Sequence, residues 1–189
     1  MAGTPHETTI GAGKLTYEDL VTLPDDGKRH EVLDGDLVVT PSPTFRHQIV
    51  SRNLFLVLHR HVETHRLGQI LYAPLDVILD EHTIVEPDIL FISAARESII
   101  RPHAIVGAPD FLVEILSPST AGRDRDAKAK LYSRFGVDHY WIVDPDNETL
   151  EVFSRAGGVY APPLTHRGRV VVHSAPFSEL SLDLGEVWK

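Results

Sequence analysis

A strand, a helix and a second strand in direct succession constrain this fold more than any other feature of the chain. Residues 111–116 and 140–143 are apolar runs of strand length, and 123–135 between them has the composition of a helix that ends at Gly136. Two strands joined through a helix are normally parallel neighbours with a right-handed crossover. The sequence therefore predicts an α/β protein.

The segments before this unit predict one hairpin and two helices. Thr16 and Asp19 have the spacing of a capping box, which predicts a short helix that continues to about Leu23. Asp34-Gly35 between apolar runs is typical of a β-hairpin turn. A long helix is expected from Thr44 to about Arg66, followed by Gly68 as its stop, because apolar residues recur there at helical spacing. Those residues are Val50, Leu54, Val57, Leu58 and Val62.

The other predicted elements are mostly strands. Strands are expected near 69–73, 75–80, 88–92 and 149–154, with a short helix near 94–99 and turn-rich edge strands in the remainder. The 189 residues are enough for one domain with a sizeable core. We assign residues 1–15 to a flexible leader and 16–189 to a single domain.

Composition excludes several classes of protein. No apolar stretch approaches the roughly 20 residues that a membrane-spanning helix requires. The chain has no cysteine, which excludes disulfides, thiolate zinc sites, iron–sulfur clusters and cysteine nucleophiles. A chain without cysteine suits a reducing compartment. We expect the protein to be cytoplasmic and without a membrane partner.

The net charge of −9 argues against indiscriminate binding of nucleic acid. Two basic segments weaken that objection. Residues 46–66 contain four arginines and four histidines against one acid, and 123–134 contain five basic residues against two acids. Solvated helix faces are nevertheless the better explanation for most of these side chains.

Two acids in apolar segments indicate a metal site. Asp88 begins one predicted strand, and Glu114 lies inside another, on the same face as Leu112 and Leu116. An ionised carboxylate is costly to bury unless it is paired or binds a cation. If the two strands are neighbours, both acids can reach one hard cation such as Mg²⁺ or Mn²⁺. The alternatives are a turn residue for Asp88 and a buried arginine partner for Glu114.

Taken in order, these motifs resemble the Uma-type family of restriction-endonuclease-like proteins, a branch of the PD-(D/E)XK nuclease superfamily. The likeness extends over roughly residues 16–155. It departs from the superfamily pattern at Leu116, where the usual lysine would stand. The matching segments are 31–35, His47-Gln48, Pro87-Asp88-Ile89, 114–120, Asp124-Arg125 with Lys128 and Tyr132, and 136–145.

The resemblance implies a restriction-endonuclease-like core, with a mixed central sheet flanked by helices, an N-terminal hairpin and C-terminal edge strands. It also implies a metal-dependent phosphodiesterase site in which Glu31, Asp88 and Glu114 hold Mg²⁺ or Mn²⁺ and Lys128 replaces the missing strand lysine. Further residues are expected to contact the substrate or support the acids. They are His47, Gln48, Ser117, Thr120, Arg125 and Tyr132.

Residue spacing alone leaves the role of Lys128 open. A surface pair with Asp124, four residues earlier, would be worth only about 0.3 kcal/mol. Lys130 is the other candidate for the catalytic lysine, and it lies about 200° around the helix from Lys128. Glu31 could equally be a solvent-facing or cross-strand-paired acid of the hairpin.

We therefore expect a metal-dependent endonuclease that acts on DNA, with a homodimer as one way of cutting both strands. Two alternatives remain. One is a nucleic-acid-binding or regulatory module that keeps the fold without turnover, and the other is a metal-dependent phosphodiesterase for RNA or a small phosphoester. Without a metal, three clustered carboxylates are expected to repel and to raise one another's pKa.

Overall fold

In the computed structural model, which describes residues 13–117, 122 and 124–189, the chain forms three β-sheets and a small number of helices. The strands of the first half are β1 Arg29–Leu33, β2 Asp36–Thr40, β3 Gly68–Tyr72, β4 Val77–Asp80, β5 Thr83–Val85, β6 Ile89–Ser93 and β7 Ile105–Val106. Those of the second half are β8 Phe111–Ile115, β9 His139–Asp144, β10 Thr149–Ala156, β11 Val159–Tyr160, β12 Leu164–Arg167, β13 Val171–Ser174 and β14 Phe177–Asp183.

The helices are fewer and mostly short. The α-helices are α1 Tyr17–Leu20, α2 Phe45–His65, α3 Ala129–Phe135 and α4 Leu184–Val187. A 3₁₀-helix spans Ala94–Ile99, and a π-helix, Asp124–Lys128, leads directly into α3. No helix in the described part of the chain is both long and apolar enough to span a bilayer.

The largest sheet has seven strands and contains the predicted strand–helix–strand unit. Its order is β11-β10-β9-β8-β6-β3, and β12 also pairs with β10. Strands β8 and β9 are parallel, whereas β6 is antiparallel to β8. The sheet is therefore mixed, and the predicted α/β fold class is confirmed.

A five-stranded sheet, β2-β1-β5-β4-β7, contains the N-terminal hairpin. The turn between β1 and β2 places Asp34 and Gly35 at φ of 53° and 96°. Both values lie in the left-handed region that Asp-Gly hairpin turns require, so this prediction is confirmed. Thr16 caps α1 through the predicted capping box with Asp19. The backbone N–H of Leu15 donates to the carbonyl of Gly35 at 3.0 Å, so part of the expected leader joins the hairpin.

The core lies on both faces of the seven-stranded sheet. Helix α2 covers one face with a buried stripe at a spacing of four residues, Val50, Leu54, Leu58 and Val62. Helix α3 lies on the other face, where Leu112 and Leu116 also pack. Side chains alternate along β8, so Glu114 points to the α3 face.

Three predicted elements differ from the structure. Helix α2 ends through Arg66, which adopts φ of 53°, rather than at Gly68. Gly68 instead allows close approach to β6, since a Cβ there would lie 2.1 Å from the carbonyl oxygen of Ile92. Of the helix expected over 123–135, the described part is a π-helix over Asp124–Lys128 followed by α3. Strands β13 and β14 form a sheet of their own instead of extending the large one.

Candidate active site

The two strand acids meet where β6 begins and β8 ends. Ile89 pairs with Val113, so Asp88 and Glu114 occupy the next position along the same strand pair. The backbone N–H of Ile115 donates to Asp88 Oδ2 at 2.7 Å. The condition for a shared site, that the two strands are neighbours, is therefore met.

Lys128 joins the two sheets through two acids. Its Nζ donates to Glu31 Oε1 at 2.9 Å and to Glu114 Oε1 at 2.8 Å. Glu31, Glu114 and Lys128 are all almost completely buried, at 0%, 1% and 1% exposure. Charged groups so deeply buried are stable only when paired, since each alone would cost several kcal/mol. The structure thus places Lys128, and not the exposed Lys130, among the acids.

The position of Lys128 depends on the π-helix, because Lys128 is its last residue. π-Helical turns are rare in proteins as a whole, but those that occur are often found at functional sites. One helical turn later, Tyr132 donates its hydroxyl to Glu114 Oε1 at 2.7 Å. Burial and the negative charge of Glu114 raise the pKa of Tyr132 well above its usual value, so its hydroxyl stays protonated and donates.

Glu31 reaches the site from β1 in the five-stranded sheet. Its Oε1 accepts hydrogen bonds from Lys128 and from the backbone N–H of Glu86, the latter at 2.9 Å. Its Oε2 is buried and has no hydrogen-bond partner among the described residues. One carboxylate oxygen of Glu31 therefore lies in the protein interior, closed to solvent and without a hydrogen-bond donor from the described part of the chain.

Asp88 is held by two basic side chains. Arg29 Nη1 donates to Asp88 Oδ1 at 2.8 Å, and His47 Nε2 lies 3.2 Å from Oδ2. Burial by itself would raise the pKa of Asp88, but the hydrogen bond from His47 and the charge of Arg29 hold it well below the usual range. The expectation that repulsion raises the pKa of the acids is wrong for Asp88, because internal cations outweigh the neighbouring carboxylates.

Arg29 and Glu86 belong to the site although neither was predicted from the sequence. Arg29 also lies 3.6 Å from Glu86 Oε2. Burial raises the pKa of Glu86 to about 7, despite the opposing charge of Arg29. Arg29 could have been found from strand periodicity, because it stands two positions before Glu31 in β1. Glu86 lies in the connection between β5 and β6, where strand alternation does not apply.

A cavity of about 360 Å³ lies against Asp88, and His47, Gln48 and Ser117 line it as well. Arg125 lies elsewhere. It pairs with Asp144 at 3.1 Å and with Glu151 at 2.8 Å. These contacts tie the π-helix to β9 and β10, so the structure gives Arg125 a supporting contact rather than a place among the acids. Thr120 lies outside the described residues.

Comparison with known proteins supports the resemblance inferred from the sequence. Residues 17–185 match the Uma2 family, which carries the description "Putative restriction endonuclease". The chain belongs to the Uma2 family. A search of the curated proteins finds no match.

A solved structure similar to this Uma2 chain is described as "a putative nuclease belonging to DUF820" from Anabaena variabilis ATCC 29413. The two share 22% sequence identity with a TM-score of 0.76, over 92% of this chain and 97% of that one. At this identity the likeness establishes a common fold. The expected restriction-endonuclease-like fold is thereby confirmed, and the chain is a member of a nuclease-like family.

The donor chemistry of this Uma2 site suits a hard divalent cation. Its acidic side chains offer only oxygen ligands, and the orphaned Oε2 of Glu31 is a buried acceptor without a donor. Within the described residues, however, no three acidic or histidine side chains are grouped closely enough to hold an ion. Lys128 and Arg29 occupy carboxylate oxygens that a metal would use, so an incoming cation would compete with them.

The pairing of Asp88 predicts a pH-dependent contribution to stability. Its pKa is lower in the folded chain than the unfolded value of about 3.9. The charged carboxylate therefore stabilises the fold above pH 4, and that contribution is lost as the pH falls through the folded pKa. In chelator at pH 7, Asp88→Asn should lower the free energy of unfolding by about 1–3 kcal/mol, as expected for charged hydrogen bonds.

Urea unfolding at pH 7 and at pH 3 measures this effect. The difference between wild type and Asp88→Asn should shrink at the lower pH, whereas Glu81→Gln, on an exposed acid, should change little at either. An Asp88→Asn protein as stable as wild type at pH 7 would show that the pairing contributes nothing.

Proposed function

We propose that this chain is a metal-dependent endonuclease that hydrolyses phosphodiester bonds in DNA. The observation that carries the proposal is an imbalance of charge. Among the described residues, four acidic side chains, from Glu31, Glu86, Asp88 and Glu114, are connected in one network with two permanently charged cations, Arg29 and Lys128. Glu86, with a pKa of about 7, is only partly ionised at neutral pH, but the other three carboxylates still outnumber the two cations.

An excess of buried negative charge favours binding of a cation. Asp88, Glu114 and Glu31 are the residues that would hold Mg²⁺ or Mn²⁺. The ion would neutralise charge on the scissile phosphate and lower the pKa of an attacking water. A phosphate substrate would also explain why this acidic protein has Arg29 and Lys128 among the acids of the site.

The basic side chains have separate roles in this proposal. Arg29 lines the cavity, and its planar guanidinium suits bidentate contact with a phosphate once a metal takes its place on Asp88. Lys128 fixes the spacing of Glu31 and Glu114, and its charge adds to the field that stabilises a phosphorane-like transition state. His47 holds Asp88 from the side of α2.

DNA is the substrate that this arrangement supports best. Lys28 and Arg29 lie at one wall of the cavity, and the first turns of α2 supply Gln48 and Ser51 as polar contacts. Such groups are the usual phosphate contacts of DNA-binding proteins. The family description, restriction endonuclease, agrees with this choice of substrate.

A second candidate is a binding or regulatory module without turnover. It is favoured by the pairing of the acids with internal cations and by the lack of a preformed metal cluster in the described residues. A buried ion network of this kind can be purely structural. The two candidates differ in whether a divalent metal changes what the protein does to DNA.

Cleavage of supercoiled plasmid tests the proposal. With Mg²⁺ or Mn²⁺ the protein should convert plasmid to nicked and linear forms, and excess chelator should stop the reaction. Single-stranded DNA, RNA of the same sequence and a chromogenic phosphodiester serve as parallel substrates. Exclusive cleavage of RNA or of the small phosphodiester would contradict the choice of DNA, and no cleavage of any substrate would favour the non-catalytic module.

A further inference from the structure

We propose that the cavity beside Asp88 binds one unpaired nucleotide of a DNA strand, with its base against the ring of Tyr72. This inference rests on the proposed function and specifies the form of its substrate. It predicts that the protein prefers DNA with a single-stranded segment to a continuous duplex.

The exposed ring of Tyr72 is the first feature that supports this inference. It lines the cavity, yet 61% of its surface is exposed, which is unusual for a large aromatic side chain. The ring of Phe55 packs edge-on against it, with centroids 4.8 Å apart and planes at 67°. This contact holds the ring of Tyr72 in place while leaving much of it open to solvent. An ordered, exposed aromatic ring is a suitable platform for stacking of a nucleobase.

Polar groups that suit the rest of a nucleotide lie in the same cavity. Lys28, whose pair with Asp26 is exposed to water, supplies positive charge for a phosphate without a metal, and Arg29 lines the same cavity but is held by Asp88. His47 also lines the cavity, is 7% exposed and has a ring nitrogen, Nδ1, without a partner among the described residues. Nδ1 is closed to solvent in this structure, so a ligand in the cavity would reach it only after a rotation of the ring, and pairing would then remove a cost of about 1–3 kcal/mol.

The size of the cavity favours a single nucleotide. Its volume of about 360 Å³ is at the low end of the range for small-ligand sites. Rigid apolar walls come from Pro41, Pro43 and Pro74. A base pair in a stacked duplex cannot place one base in such a cavity without leaving the stack, which costs a few kcal/mol. An unpaired nucleotide enters without that cost.

Binding measured without turnover tests this inference separately from cleavage. Fluorescence anisotropy in chelator would compare a labelled 16-nucleotide single strand with the duplex of the same sequence. We expect the single strand to bind at least about tenfold more tightly to the wild-type protein. Tyr72→Ala should weaken single-strand binding about tenfold or more, because stacking on an aromatic side chain is lost.

Two variants make the result specific. Tyr72→Phe keeps the ring and should keep single-strand affinity within about twofold. Leu164→Ala removes a similarly exposed apolar side chain, 66% exposed, that does not line the cavity, and it should have no effect. Equal affinity for the two DNA forms, no measurable binding of the single strand, or full affinity in Tyr72→Ala would each overturn the inference.

The outcomes also separate the subsite from the proposed function. Tyr72-dependent binding of single strands without any metal-dependent cleavage would leave the subsite in place and refute the endonuclease. If cleavage depends on a metal but the affinity for single strands is the same in wild type and Tyr72→Ala, the subsite is refuted and the endonuclease proposal stands.

Discussion

Lys128→Met should lower the free energy of unfolding by about 3–5 kcal/mol, the cost typical of breaking a buried ion pair. The substitution keeps an unbranched side chain but removes the charge that Glu31 and Glu114 share. Both carboxylates are almost fully buried, so water cannot replace the lost partner without a local rearrangement. The effect should therefore be far larger than for a surface lysine.

Chemical unfolding of Lys128→Met and Lys130→Met at pH 7 provides the comparison. Lys130 lies two residues further along the chain and is exposed, so its replacement should cost less than about 0.5 kcal/mol. Adding Glu114→Gln to Lys128→Met should recover part of the loss, because one of the two carboxylates that lose the charge of Lys128 is then neutral. If the two lysine variants are equally stable, Lys128 does not hold the acids together.

Cleavage by Lys128→Met offers a second readout if the variant folds. We expect turnover to fall by about 100-fold or more, within the range of a positioned electrostatic or acid–base group. Lys130→Met should cleave as wild type does.

Asp88 and Glu114 could be selected from the sequence because each breaks an apolar run of strand length. Strand periodicity then placed Glu114 on the face of Leu112 and Leu116, and the structure has it there. The parallel pairing of β8 and β9 followed from the intervening helix. These features are local or follow from connectivity, so they can be read along the chain.

The place of Lys128 could not be obtained from spacing alone. In a regular helix, the surface pair with Asp124 was the better explanation of Lys128, and only the family resemblance favoured the role among the acids. The π-helical turns and the contact with Glu31, 97 residues away in sequence, are tertiary features. No local pattern in the chain encodes them.

The predicted rise in the pKa of Asp88 was wrong for the same reason. Repulsion among the acids was expected because Arg29 was not among the predicted site residues, and Arg29 pairs with Asp88 from a different sheet. Arg29 shares a face of β1 with Glu31, so periodicity could have suggested it, but its partner depends on how the two sheets meet. Which buried charges neutralise each other is a property of the assembled fold.

Asp88→Asn and Glu114→Gln should each reduce metal-dependent cleavage of plasmid by at least about 1,000-fold, equivalent to roughly 4 kcal/mol of transition-state stabilisation. Each variant keeps the size of the side chain and removes one ligand charge. Far-UV circular dichroism should match wild type, which would separate loss of the metal from loss of the fold. Glu81→Gln, on an exposed acid, should retain full activity.

Thermal melting during a titration with Mn²⁺ tests most directly whether these acids form a metal site. At 100 times its dissociation constant, Mn²⁺ should stabilise wild type by about 2.7 kcal/mol if the unfolded chain binds none. The melting temperature of Asp88→Asn and of Glu114→Gln should not respond over the same range. An unchanged wild-type melting temperature up to millimolar Mn²⁺, or an equal rise in the variants, would contradict the metal site. Either result would favour the binding or regulatory module without turnover.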